Sequence, residues 1–291
     1  MKSKNTNGSK ITKKAVESQG MRLLRQLFLS GKRIFNMQDA LSAAALEKIP
    51  HNQVRKILSS LARHGRALRL RRGLYIGIGL QPEEILTHPF VISTSLIQPS
   101  AISHWSALQH HGLTEQIPQI VTASTTQKVV TPSMRDKSPP SQKTKHAWII
   151  DDIRYEYITI QQKHFFGIEK IWLDEHFQVP ITDKERTLLD VFIYSKMFGG
   201  MGEALGIIEN SLANIDIKKL VDYAIQYNKK SLAKRLGWAL EYFGVSSQLL
   251  SPLLNVSISY YCRLDPSSPA VGSCDKRWMI QNNLIKSDKH K

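Results

Sequence analysis

Pro50-His51-Asn52-Gln53-Val54-Arg55-Lys56-Ile57-Leu58-Ser59-Ser60-Leu61-Ala62-Arg63-His64-Gly65, running on into Arg66-Ala67-Leu68-Arg69-Leu70-Arg71-Arg72-Gly73-Leu74-Tyr75-Ile76-Gly77, carries the architecture of the N-terminal part of this chain. Val54, Ile57, Leu58 and Leu61 fall at i, i+3, i+4 and i+7, which is one face of an α-helix. Pro50 sits where a helix begins and its missing N–H is not needed. Gly65 stands just past the end, where the backbone turns left-handed. The opposite face holds Asn52, Gln53, Arg55, Lys56, Ser59, Ser60 and Arg63. In the second half, Leu68 and Leu70 alternate with Arg69, Gly73 supplies a turn, and Leu74 to Ile76 is rich in β-formers. That pattern predicts a hairpin with Arg71 and Arg72 at its tip.

Upstream of it, Met21, Leu24, Leu27 and Phe28 keep helical spacing, and Gly31 stops the helix. Ile34-Phe35 reads as a very short strand. Asn36 is placed to cap a short Ala-rich helix over 37–45 that buries Leu41 and Ala44. Three helices followed by an arginine-tipped hairpin are the order of a winged helix-turn-helix, whose second paired helix enters the DNA major groove while the wing rides on phosphates or the minor groove. The residue types agree. The amides of Asn52 and Gln53 suit adenine edges, Arg55 suits guanine O6 and N7, and Lys56, Ser59 and Ser60 suit phosphates or bases. Arg63, Arg66, Arg69, Arg71 and Arg72 bring cations to the helix end and the wing, as backbone contact requires. A merely solvated face mixes charge signs. Between Pro50 and Leu80, however, there are six Arg, one Lys and no Asp or Glu.

Whole-chain charge points the same way. Of the net +16, residues 1–80 contribute 17 basic against 3 acidic side chains, and the other 211 residues are nearly balanced. A basic segment joined to a near-neutral one predicts a polyanionic partner for that segment alone, here double-stranded DNA. Residues 1–20, with Lys2, Lys4, Lys10, Lys13 and Lys14, are expected to be a disordered basic arm. The winged domain is expected over 21–80, and a second domain over 81–291. At 291 residues, 42% hydrophobic and 22% charged, the chain has room for two cores. No apolar run reaches membrane-spanning length, and no secretory leader is recognisable, so a cytoplasmic protein with no membrane partner is expected. Cys262 and Cys274 are read as reduced thiols, although a bridge between them stays open.

The remainder reads as α+β with a helical second half. A helix is predicted over 101–111 with Ala101, Trp105 and Leu108 on one face, then strands at 119–123, 148–150 and 153–158. Residues 124–146, rich in Ser, Thr, Lys and Pro, read as a mobile basic loop. From Pro180 the chain is expected to turn helical, with Thr182-Asp183-Lys184-Glu185 as a capping box, a break at Gly199-Gly200, and helices over 203–212, 217–227 and 232–243. Trp278-Met279-Ile280 suggests a last strand. The P-loop, the H-E-x-x-H pair and the G-x-S-x-G elbow are missing, so no catalytic site, cofactor or metal is expected. His104, His110 and His111 lack a partner ligand and suit a helix C-terminus. Asp151, Asp152 and Glu156 faintly suggest a nuclease metal site, but a turn explains the adjacent aspartates better.

Several stretches together resemble the antitoxin and transcriptional-regulator family of AbiE-type abortive-infection toxin–antitoxin systems. They are Arg71-Arg72-Gly73-Leu74-Tyr75, then Ser106-Ala107-Leu108 with His111-Gly112-Leu113-Thr114, and Val179 through Asp190. Gly199-Gly200-Met201 and the run from Leu232 to Gly237 leading into Glu241 complete the set. The resemblance implies a winged domain that binds inverted repeats in its own promoter and represses it. It also implies a C-terminal domain that counteracts a nucleotidyltransferase toxin, with or without direct contact. The family's DNA-contacting basic residues fall on Arg55, Lys56, Arg63, Arg69, Arg71 and Arg72. The rival reading is a free-standing winged-helix regulator whose second domain senses a small molecule.

Overall fold

The computed structural model describes residues 18–78, 88–131, 134, 147–150, 152–175 and 177–284. The chain divides into two compact units, residues 1–86 and 87–291.

In the N-terminal unit, α1 (Gln19–Leu29) is followed by β1 (Ile34–Asn36), α2 (Met37–Leu46), α3 (His51–Arg63), β2 (Ala67–Arg71) and β3 (Leu74–Gly77). The three helices pack on one another, and α3 also packs against β2. β3 lies between β1 and β2, antiparallel to both. This is the winged helix-turn-helix order. Most of the expected arm lies outside the described residues, but its last two positions belong to α1, because Ser18 Oγ caps that helix by accepting from Met21 N. The core is Leu23, Leu24, Leu27, Phe35, Val54, Leu58 and Leu61 with small alanines of α2 between them. On α2 the buried residues are Ala40, Ala43 and Ala44, while Leu41 is only partly covered. The Asn36 cap is a full box, since Asp39 returns a carboxylate oxygen to Asn36 N.

Two tight turns shape this unit. After α2, Ile49 N donates to Ala44 O and Lys48 N to Ala45 O, which is the Schellman pattern. Its left-handed position is held by Lys48 at φ 55°, where glycine is usual. Ile49 is buried beside Ala44, so a hydrophobic contact accompanies the bonds and fixes the direction in which α3 departs. The end of α3 repeats the pattern, with Arg66 N bonded to Leu61 O and Gly65 at φ 66°.

The C-terminal unit is mixed α+β with a helical second half. Its six-stranded sheet contains β4 (Ser100–Ile102), β5 (Ile120–Thr125), β6 (Ala147–Ile150), β7 (Ile153–Thr159), β8 (Ile168–Trp172) and β9 (Gln178–Thr182), in the order β6-β7-β5-β4-β9-β8. The β4–β9 and β5–β7 pairs are parallel and the others antiparallel. Two helices, α4 (Pro89–Leu96) and α5 (His104–His110), pack on the sheet. Then come α6 (Lys184–Ile193), α7 (Met201–Ser211), α8 (Ile217–Tyr227), α9 (Lys230–Tyr242) and α10 (Ser247–Leu254). A small sheet of β10 (Cys262–Arg263), β11 (Ser273–Asp275) and β12 (Ile280–Asn282) ends the fold.

Several expectations need correction. Ala101 lies in β4, paired with β5 and β9, and the helix starts only at His104. The stretch from Pro180 to Thr182 is strand, and Asp183 rather than Thr182 caps α6 by accepting from Arg186 N. Trp278 precedes the last strand and inserts against Gly237, where a Cβ would lie 2.1 Å from the indole ring. Glu241, one turn on, accepts the indole N–H. Cys262 and Cys274 are free thiols. β5 runs on to Thr125, and residues 132–146 of the expected loop, Met134 apart, lie outside the described residues.

Candidate nucleic-acid interface

α3 has no acidic residue, and its buried side is Val54, Leu58 and Leu61. At 100° per residue, Asn52, Lys56, Ser59 and Arg63 form one straight stripe on the side opposite those three. Gln53 and Ser60 lie to one flank of the stripe and Arg55 to the other. All seven are exposed. Along the wing, Arg69, Arg71 and Arg72 are exposed and Arg66 is half-buried. A β-bulge at Leu70 shifts the register, so that Arg69 faces Tyr75 while Arg71 faces Leu74. The bulge turns Leu70 into the protein, and the apolar positions of β2 are Ala67 and Leu70 rather than the alternating Leu68 and Leu70. Gly73 at φ 77° closes the tip with nothing within 4 Å of the place a Cβ would take.

The two acids of this unit among the described residues are already engaged. Asp39 pairs with Lys32 while completing the α2 box, and Glu47 lies 3.7 Å from Arg22. Among the described residues, no ion pair involves Arg55, Lys56, Arg63, Arg69, Arg71 or Arg72. Their charges face solvent uncompensated. The two serines are less available than their residue type suggested. Ser59 Oγ donates to Arg55 O at 2.9 Å, and would have to rotate away to donate to a phosphate. Ser60 Oγ lies 3.4 Å from His64 Nδ1, whose stronger contact is Ser60 O at 2.8 Å. Lys48, exposed in the turn before α3, is a further cation that helical periodicity alone does not flag; its signal is the Glu47-Lys48-Ile49-Pro50 break itself.

In the C-terminal unit Asp183, Glu185, Arg186 and Asp190 are buried, with Lys184 among them only half-buried, and the four knit β9, α6 and α8 together. Arg186 and Asp190 pair one turn apart, each about 1% exposed. Arg186 also donates to His164 O at 3.1 Å and lies over the rings of Phe166 and Tyr227. Asp183 accepts from Tyr223 Oη at 2.7 Å, and Lys219 bridges Asp183 and Glu185. Burial works against the Lys219 charge, but the two carboxylates outweigh it and hold its pKa above the ordinary lysine value. Tyr223 is pushed up to about 12 by burial and by Asp183. Each of these side chains is engaged within the network that packs β9, α6 and α8. Asp152 sits in the β6–β7 turn at φ 61°, Asp151 lies outside the described residues, and Glu156 pairs with Arg154. Among the described residues no cluster of three His, Cys, Asp or Glu could hold a metal ion.

His110 and His111 stand at the end of α5 as expected, and His104 does not. His104 opens α5 rather than ending it, at φ 58° and fully buried, with Nδ1 2.7 Å from Ser103 Oγ. Burial, against Asp190 and with help from Arg186, holds its pKa below the ordinary 6.5. The unfolded chain therefore binds a proton below about pH 6.5 that the folded chain refuses, and stability falls as pH drops below that value. Urea unfolding at pH 7.5 and 5.5 is expected to show this fall, by up to about 1.4 kcal/mol per pH unit for one such group. The His104→Gln variant should show a shallower dependence, and an equal slope would show that other groups carry it.

No helix among the described residues is long and apolar enough to cross a membrane. Residues 22–76 match the profile of the family described as transcriptional regulator, AbiEi antitoxin. The match runs from α1 into β3, so the winged unit carries it. The crystal structure of the RV2827C protein from Mycobacterium tuberculosis has a TM-score of 0.60 to this chain, covering 91% of each, at 11% identity. At that identity the likeness is one of fold. Comparison with curated proteins found no match.

Proposed function

We propose that this chain is a DNA-binding transcriptional repressor that acts as the antitoxin of an AbiE-type system. The N-terminal unit grips promoter inverted repeats, and the C-terminal unit counteracts a nucleotidyltransferase toxin made from the same operon. It works by binding rather than catalysis, in the cytoplasm. The family match over 22–76 supports the regulator and antitoxin class. The observation that carries DNA binding is the uncompensated set of cations on α3 and the hairpin, in a stretch without one carboxylate. In this reading the stripe of Asn52, Lys56 and Arg63 lies in the major groove with Gln53 and Arg55 beside it. Ser59, Ser60 and Arg66 support it from the helix and its end. Arg69, Arg71 and Arg72 follow the phosphates, and Lys48 adds a backbone contact at the turn.

The test is a titration of the full chain against its own promoter at several salt concentrations. The logarithm of affinity is expected to fall linearly with the logarithm of salt, by about 0.9 for each phosphate contacted. Asn52→Ala is expected to narrow the gap between operator and unrelated DNA, by about 1–3 kcal/mol if the amide reads a base. Lys56→Ala should weaken both by similar factors. Salt-independent binding would defeat the reading. For the antitoxin role, expressing the chain together with the neighbouring toxin gene should relieve the growth arrest that the toxin causes alone; unrelieved arrest would remove the antitoxin half and leave the repressor.

A further inference from the structure

We infer that the cleft between α4, the end of α5 and the loop leading into β5 is a binding site for a small organic anion, a ring bearing a carboxylate or phosphate, held by His88 and His110. The cleft has a volume of about 370 Å³, within the range of small-molecule sites. Its floor is buried Phe90, Ser106 and Val121, and its rim carries exposed His88, Gln109, His110 and Ile117. The floor offers no free polar group, because Ser106 Oγ already accepts from Thr122 N at 2.9 Å. Recognition is left to the rim.

The His88 imidazole is set up as a donor, and His110 stands across the Phe90 ring from it. His88 caps α4, and its Nδ1 accepts from Phe90 N at 3.2 Å, so the proton of the neutral ring sits on Nε2. Phe90 meets both rings edge to face, with centroids 4.6 Å from His88 and 6.1 Å from His110. The phenyl thus spaces the two imidazoles around an apolar surface on which a ligand ring can lie. Among the described residues, the titratable neighbours of these two rings are His111 and Asp174. His110 faces His111 and His88, and burial followed by these two rings lowers its pKa. Burial lowers His88 as well, with Asp174 pulling the other way. His111 is tied to Thr182 O at 2.7 Å. An anion seated between His88 and His110 would favour the protonated form of both, and so bind more tightly as pH falls. His88 comes ten residues after Ile78, at the start of the C-terminal unit, so an occupied site would lie where the chain arrives from the winged unit. Only that regulatory consequence rests on the DNA-binding reading; the site itself does not.

The test uses the full chain without DNA, following the imidazole signals of His88 and His110 by NMR. Benzoate, phenyl phosphate, inorganic phosphate and neutral benzamide serve as probes at up to about 10 mM, the range in which fragment-sized ligands bind. Benzoate or phenyl phosphate should move both histidines, with affinity about tenfold higher at pH 6 than at pH 8, equivalent to about half a proton taken up on average across that range. The better of the two names the anionic group. Benzamide should be much weaker. In the His88→Gln/His110→Gln double variant, followed through the backbone amide signals of Phe90, Gln109 and Val121, binding should be lost, with no more than the small drop in melting temperature that removing the His88 cap brings. Histidine signals unmoved by every probe would overturn the site. So would binding that survives the double variant, or binding by inorganic phosphate with no gain from the ring. Adding the better probe to the promoter titration then reads the regulatory effect separately.

Discussion

Alanine at both Arg71 and Arg72 is expected to weaken binding to every duplex sequence by about a hundredfold near physiological salt. Each guanidinium makes a charge-assisted contact worth on the order of 1.4 kcal/mol, near the low end for hydrogen bonds to charged groups. The same variant should reduce the salt slope by about 1.8, two phosphates' worth. Neither residue has an ion pair among the described residues, and both are exposed at the hairpin end, so the fold should not notice their loss. Thermal unfolding followed by circular dichroism would verify that. An unchanged affinity in a folded double variant would remove the wing from the interface. A loss confined to the operator would turn it into a base-reading element instead.

The largest stability effect is expected in the other unit, from Asp190→Ala. This substitution leaves the Arg186 guanidinium buried without its carboxylate, and breaking such a pair from one side costs about 3–5 kcal/mol. For a unit of this size that is a fall of roughly 10 °C in Tm. Removing both charges is the informative control. Arg186→Met with Asp190→Leu keeps volume and leaves no orphan, so it should recover much of the loss. If the single variant unfolds at the wild-type urea concentration, the pair is not the keystone its burial suggests. If the double variant is as unstable as the single, the contacts of Arg186 with His164 O and the Phe166 and Tyr227 rings matter more than the charge pair.

The winged unit was legible because its signals are local. The i, i+3, i+4, i+7 run of α3 and the glycines at 65 and 73 name their structures within a few residues. The same holds for α9, closed by Gly244 at φ 85°. The sheet of the C-terminal unit was harder to read. β4 is three residues long and its parallel partner β9 lies some eighty residues along the chain, while β8 and β9 form a short hairpin with no clean alternation, so pairing rather than pattern makes them strands. α4 has Phe90 to Thr94 and Leu96 all buried, leaving no polar face to betray a helical period. α6 misleads in the opposite sense: Glu185, Arg186 and Asp190 look like a solvated face and are buried in a network that only the fold assembles. At the interface, exposure could be read from the residue types. The bulge at Leu70 and the Ser59 hydroxyl turned back onto its own helix could not, because each depends on backbone geometry one turn or one strand away.

The choice of arginine over lysine and histidine in the 50–78 stretch has its own consequence. Six of its seven cations are guanidinium groups, which no accessible pH discharges. Acidification would leave the attraction for nucleic acid intact while the buried neutral imidazole of His104 makes the other unit less secure. Under the proposed repressor reading, acid would unsettle the downstream half before the hold on the promoter, and an acid-stressed copy would stay bound as a silent occupant of its site.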